Sequence, residues 1–157
     1  MTQITARDFM ATELLTFNPE TDVLDAVQAL VEHQISGAPV VDDDGRYLGM
    51  FSERCSMQVL LDAAYEQLAI TDIGPFMDSE AQTIGPDTHL LSVAQVFLLT
   101  PFRRLPVLED GKLVGVVSRR DVMECWMGLI DAGPDCSREE RLVHFCELFQ
   151  RQEAPLA

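Results

Sequence analysis

Arg103, Arg104, Arg119 and Arg120 are four of the five basic residues between positions 71 and 133, in a chain whose net charge is −15. An acidic protein has gathered arginines around one short stretch, "GVVSRRDVM" (115–123), which also carries Ser118 and Asp121. Guanidinium forks and the N–H groups of a helix start suit an anion such as a phosphate. A carboxylate one turn into that helix suits a vicinal diol, because it accepts hydrogen bonds from two hydroxyls. Phosphate donors beside a diol acceptor describe a nucleotide. Ser118 and Asp121 fit a helix capping box equally well, with Asp in place of the usual Glu. Clustered arginines also fit pairing with carboxylates or with a partner subunit, and the residues alone leave these readings open.

The stretch has a near-twin in "GMFSERCSM" (49–57). A shift of 67 aligns Met10 with Met77, Thr16 with Thr83, Pro19 with Pro86, Pro39 with Pro106 and Val40 with Val107. The shift becomes 66 after "DDDGR", which holds one residue more than "EDGK", and then aligns Gly49 with Gly115, Ser52 with Ser118 and Met57 with Met123. One offset kept over so many features marks an internal duplication.

Each copy reads as β-α-β-β-α, over residues 5–66 and 70–132. "LLTF" and "AQTI" are short extended pieces. Val23, Ala26, Val27, Leu30 and Val31 recur at helical spacing behind Asp22 as N-cap, and Leu90, Val93, Val96 and Phe97 repeat the pattern. Two apolar runs around an Asp-Gly turn then predict a hairpin, and Ser52 or Ser118 opens a second helix. The fold class is α/β (α+β), with sheets covered by helices. Halves of about 60 residues bury little core alone, so the two are expected to pack as one pseudo-symmetric body. Residues 134–152 form a further helix capped by Ser137 and Glu140. Its Leu142, Phe145, Cys146 and Phe149 face either the core or a second subunit.

A two-residue Asp110-Gly111 turn makes antiparallel partners sum to 221, so Leu105 faces Val116 and Arg103 faces Ser118. Strand start and helix start therefore converge. In the first copy the same positions hold the uncharged Ser36-Gly37, Glu53 for Arg119, and Cys55 for Asp121. A thiol does not bridge a diol, and a glutamate opposes phosphate.

Together, the duplicated unit, its apolar-Pro-Val strand, its Asp-Gly turn and "G-apolar-apolar-Ser-x-x-Asp" resemble the cystathionine β-synthase (CBS) domain pair, or Bateman module. The resemblance covers residues 5 to 132 and is to a stand-alone pair, with no catalytic domain attached. It implies a regulatory or sensor module that binds AMP, ADP, ATP or S-adenosylmethionine and associates into dimers. It also implies roles: Ser118 and Asp121 at the ribose, Thr83 and Ile84 against the base, and Arg103 and Arg104, just before Leu105-Pro106, at phosphates with Arg119 close by. The first copy, with Ser36, Gly37 and Cys55, departs from the pattern.

Other classes are disfavoured. The acidic chain repels nucleic acid and anionic membranes, and no apolar run reaches the roughly 18 residues of a membrane span. His33, His89 and His144 lack ligand-like spacing with each other or with cysteines, so no metal site is expected. No nucleophile–base pair indicates an enzyme. Four cysteines without a framework suit a reducing, cytoplasmic setting. Met123, Trp126 and Met127, matched by Met57, Leu60 and Leu61, read by default as core packing, while the resemblance implies that these helices face a second subunit in a homodimer. A ligand-free dimeric interaction module is the alternative reading.

Overall fold

The computed structural model describes residues 3–66 and 71–152, with the side chains of the last two left aside. Two antiparallel hairpins carry it: β1 (Gly37–Val41) with β2 (Tyr47–Ser52), and β3 (Arg104–Glu109) with β4 (Lys112–Ser118). Asp110 and Gly111 have φ of 53° and 77°, the left-handed pair that a tight two-residue turn requires. The longer first turn is held by the Asp42 carboxylate, which accepts from the N–H groups of Asp44 and Arg46 at 2.9 Å each. The extended pieces add one parallel bridge per hairpin, Phe17 to Val40 and Ile84 to Val107.

The expected register holds only beside the turn, where Glu109 faces Lys112 and Leu108 faces Leu113. A bulge between Val107 and Leu108 then moves it by one, so Leu105 faces Val117 and Arg104, not Arg103, faces Ser118. The first hairpin bulges at the equivalent place, between Val40 and Val41. Extra residues of this kind bend a strand and re-aim the side chains beyond the bend.

Helices α2 (Val23–His33), α3 (Glu53–Glu66), α4 (Leu90–Leu99) and α5 (Arg119–Asp131) flank the hairpins. Asp22 caps α2 as expected, its carboxylate accepting from the N–H groups of Leu24 and Asp25. The periodic residues fill two cores. Phe17, Val23, Ala26, Leu30, Val40, Phe51 and Val59 form one, and Ile84, Val93, Phe97, Leu105, Val107 and Val117 the other.

Each core also takes one buried residue from the other copy's leading segment: Ile73 closes the first, with Phe76 and Met77 packed beside it, and Ala6, on the short α1 (Ala6–Phe9), closes the second, with Phe9 and Met10. The leaders are held by matched backbone bonds. Met50 N–H donates to Asp78 O at 2.9 Å and Asp78 N–H returns to Met50 O at 2.8 Å; Val116 and Ala11 repeat the pair at 3.0 and 2.9 Å. The leaders cross so closely that a Cβ on Gly49 would lie 2.7 Å from Asp78 O, and one on Gly115 would lie 2.5 Å from Met10 Sδ. The repeated glycines leave room for that crossing.

The hairpin tips join the halves. Tyr47 N–H donates to Gly111 O, Leu113 N–H donates to Gly45 O, and Arg46 bridges Lys112. A shift of 66 maps each of these contacts onto its partner, so a pseudo-two-fold axis passes between Arg46 and Lys112. Outside the repeats, α6 (Arg138–Gln152) starts with the expected reciprocal bonds between Ser137 and Glu140. It covers α5 of its own chain: the rings of Trp126 and Phe145 lie 6.2 Å apart and those of Phe145 and Phe149 4.5 Å apart. Leu142 and Val143 remain exposed.

Candidate ligand site

The second-repeat motif begins where β4 runs into α5. Ser118 is the N-cap: its hydroxyl accepts from Asp121 N–H at 3.2 Å, and its own N–H donates to Asp121 Oδ2 at 2.8 Å. The capping box is therefore formed, and Asp121 is half-buried. Only Oδ2 is engaged in it, so capping does not exhaust the carboxylate's capacity to accept. Arg104 is half-buried opposite Ser118, while Arg103, Arg119 and Arg120 are exposed. Arg120 turns along its helix to Glu124 at 3.5 Å.

Leu105 and Pro106 are buried behind this surface rather than on it. Ile84 is likewise a core residue, with both backbone groups engaged: its N–H donates to Pro106 O at 3.0 Å and its carbonyl accepts from Leu108 N–H at 2.9 Å. Thr83 is half-buried, its carbonyl accepting from the Gln82 side-chain amide.

The first repeat builds the same frame with different chemistry. Cys55, in the place of Asp121, is 8 % exposed. Its N–H donates to Ser52 Oγ, the Ser52 hydroxyl donates to its Sγ at 3.3 Å, and the thiol reaches back to Met50 O at 3.7 Å.

A cleft of about 480 Å³ opens beside this first motif. Ser36, Gly37, Glu53, Arg54 and Cys55 line one side, and Arg103 and Arg104 reach it from the second repeat. Phe76, Asp78 and Phe102 also line it. The two arginines thus stand at a junction: Arg104 pairs with Ser118 across the hairpin, and both residues line the first-repeat cleft. Spacing within one repeat does not point to Arg54, Phe76, Asp78 or Phe102. The available signal is the duplication itself, because Ser36-Gly37 and Arg103-Arg104 are equivalent positions that the pseudo-two-fold brings together.

Comparisons with known proteins agree with this architecture. The family model of the CBS domain matches residues 6–54 and 70–128. The crystal structure of CBSX2 in complex with AMP is 31 % identical and superposes with a TM-score of 0.71, covering 80 % of this chain and 97 % of that one. The CBS domain pair of MJ0100, in complex with 5′-methylthioadenosine and S-adenosyl-L-methionine, gives a TM-score of 0.68 at 21 % identity, over 81 % of this chain and 98 % of that one, and shows the shared fold. Chloroplastic CBSX1 of Arabidopsis thaliana is 29 % identical over 147 residues. That match covers 77 % of this chain, which spans 62 % of CBSX1.

Proposed function

Because the chain belongs to the CBS domain family, we propose that it is a regulatory module binding an adenosine-containing ligand of the AMP, ADP or ATP class, chiefly at the second-repeat motif. The observation that carries this is the half-buried Asp121 carboxylate, with an oxygen beyond its capping bond, at the helix start that Arg104 faces. Ribose hydroxyls donate to Asp121, and phosphates meet Arg103, Arg104 and the first-turn N–H groups of α5. CBSX2, crystallised with AMP, supports the ligand class. Among the described residues no helix is long and apolar enough to cross a membrane, and the four cysteines are free, which suits the cytoplasm. Signalling requires the ligand to favour one packing of the repeats, or of two subunits, over another.

The test is a thermal-shift panel of AMP, ADP, ATP, S-adenosylmethionine and GTP on wild type and Asp121→Ala. At a hundred times its Kd a ligand adds about 2.7 kcal/mol, or roughly 5 to 11 °C for a chain of this size. An adenosine-specific shift lost in Asp121→Ala supports the reading, and no shift in the folded protein ends it. A response to S-adenosylmethionine that ignores loss of Arg103 and Arg104 points instead to an uncharged adenosyl ligand.

A second feature favours self-association. Met57, Leu60 and Leu61 on α3 and Met123, Trp126 and Met127 on α5 are 38 to 59 % exposed and occupy equivalent positions in the two repeats. A homodimer that buries both stripes is part of the same proposal. If no ligand binds, that dimer is the remaining function, a docking module with empty clefts.

A further inference from the structure

Helix α6 lies outside both repeats and makes their second helices unequal. It covers Trp126 and Ile130 of α5: the Trp126 ring meets Phe145, and Ile130 is 4 % exposed although, among the described residues, it packs into neither repeat's core. The shift of 66 maps these two residues onto Leu60 and Ala64 of α3, which are exposed. Between Arg54 and Glu66 no exposed residue of α3 is charged, in a chain of net charge −15. One repeat thus shows an uncovered apolar face where the other carries a helix, and such a face marks an interaction site.

The α5–α6 edge carries a second apolar surface. Arg141 packs at Gly133 and Phe145 at Trp126, so α6 runs back antiparallel along α5. Val122, Cys125 and Leu129 are half-buried on the inner side of this contact, as is Leu148 of α6. Helical spacing therefore places the exposed Met123 and Met127 of α5 and the exposed Leu142 and Cys146 of α6 together on its outer side. The α3 and α5 stripes, with Tyr65 and Leu142 added, are 38 to 81 % exposed. They offer on the order of 800 Å² of apolar surface, the share that each partner buries in a standard interface. Each copy carries both surfaces once, so a two-fold pair buries them all through two identical contacts.

We propose that α6 belongs to the subunit interface, with α3 of one copy packed against the α5–α6 edge of a second copy, head to tail. This pairing rests on the homodimer proposed above, to which it adds a C-terminal element and a polarity. Ala63 and Ala64 keep α3 low where Leu129, Ile130 and α6 build the other edge up. Like against like would set trough on trough and ridge on ridge, whereas head-to-tail pairing sets ridge in trough, the complementarity that stable interfaces show.

Sedimentation velocity over a micromolar concentration series tests the pairing on wild type, Leu142→Glu and Val143→Glu, with thermal melts confirming that each variant is folded. The two residues are 44 and 58 % exposed on one helix, but Val143 lies about 100° round it from Leu142, farther from α5. Leu142→Glu is expected to weaken the dimer at least about tenfold, because a carboxylate enters the contact unpaired. Val143→Glu, the same charge change one residue on, stays within about twofold of wild type. A bifunctional maleimide on mixed isotope-labelled and unlabelled Tyr65→Cys chains reads the polarity, with links expected between position 65 of one chain and Cys146 of the other. Leu142→Glu that dimerises like wild type, or a dimer without those links, removes this pairing and leaves the homodimer standing. A wild type that stays monomeric removes both.

Discussion

Gly49→Ala and Gly115→Ala are equivalent substitutions in the two repeats, and the structure predicts unequal costs. A Cβ at Gly49 would lie 2.7 Å from the carbonyl oxygen of Asp78 and 3.1 Å from its carbon, both backbone atoms. The leader cannot withdraw from that contact without loosening the two bonds between Met50 and Asp78. Overpacking costs about 1 to 3 kcal/mol and each lost hydrogen bond about 1 kcal/mol. Reduced freedom of the unfolded chain returns up to about 1 kcal/mol. The net is about 2 to 5 kcal/mol, a fall in Tm of roughly 4 to 20 °C. At Gly115 the two nearest atoms belong to the flexible Met10 side chain, with Ala11 O at 3.1 Å. A rotamer change relieves most of that clash, leaving about 1 to 2 kcal/mol. Urea titration of both variants reads the difference directly. Equal effects, or a neutral Gly49→Ala, would refute the account of these glycines as crossing points for the leaders.

Burial, with the Asp78 carboxylate adding to it, holds the Tyr47 phenol well above its ordinary value near 10. The unfolded chain loses that proton near pH 10 while the folded one keeps it, so this contribution to stability is full below about pH 10 and is lost as pH rises toward the folded value. Tyr47→Phe is therefore expected to flatten the alkaline fall in Tm while costing little at neutral pH, since the buried hydroxyl has no hydrogen-bond partner among the described residues. Ser118→Ala removes one arm of the α5 capping box and should cost the ligand-free protein about 1 kcal/mol by urea titration. Ile73→Ala empties a fully buried site in the first core from outside that repeat and should cost about 2 to 5 kcal/mol; a loss below about 1 kcal/mol would show that the leader is not part of that core. Leu60→Glu with Trp126→Glu should turn a dimer into a monomer by light scattering, and a wild type already monomeric at micromolar concentration ends the dimer proposal.

Much of the fold could be read from the chain because its punctuation is local. Asp110-Gly111 dictates a turn, Asp22 and Ser118 dictate helix starts, and Val23 through Leu30 dictate which face of α2 is buried. The exchange of leaders could not be read in that way. Residues such as Ala11 and Asp78 dock through backbone bonds that any side chain permits, and the lone glycines within β2 and β4 are the surviving sign of a close approach. The bulge at Val107 escaped for a related reason. A turn fixes the register of the pairs beside it, and the bulge between Val107 and Leu108 resets the remainder. At the candidate site, the Ser118–Asp121 box is a local pattern and was legible. The reach of Arg103 and Arg104 into the first repeat's cleft arises from packing between repeats, which no spacing within either one encodes.

The leader exchange also bears on how such a chain could originate. A polypeptide holding one unit would have no way to fill its own vacancy, because the segment that fits there belongs to another copy. It would complete itself only by trading with a twin, and two such half-length chains would form the backbone contacts now seen across the pseudo-two-fold. Joining them end to end makes the trade internal and frees each half to change alone. Cys55 and Asp121 are then two outcomes of that freedom at what was once a single position.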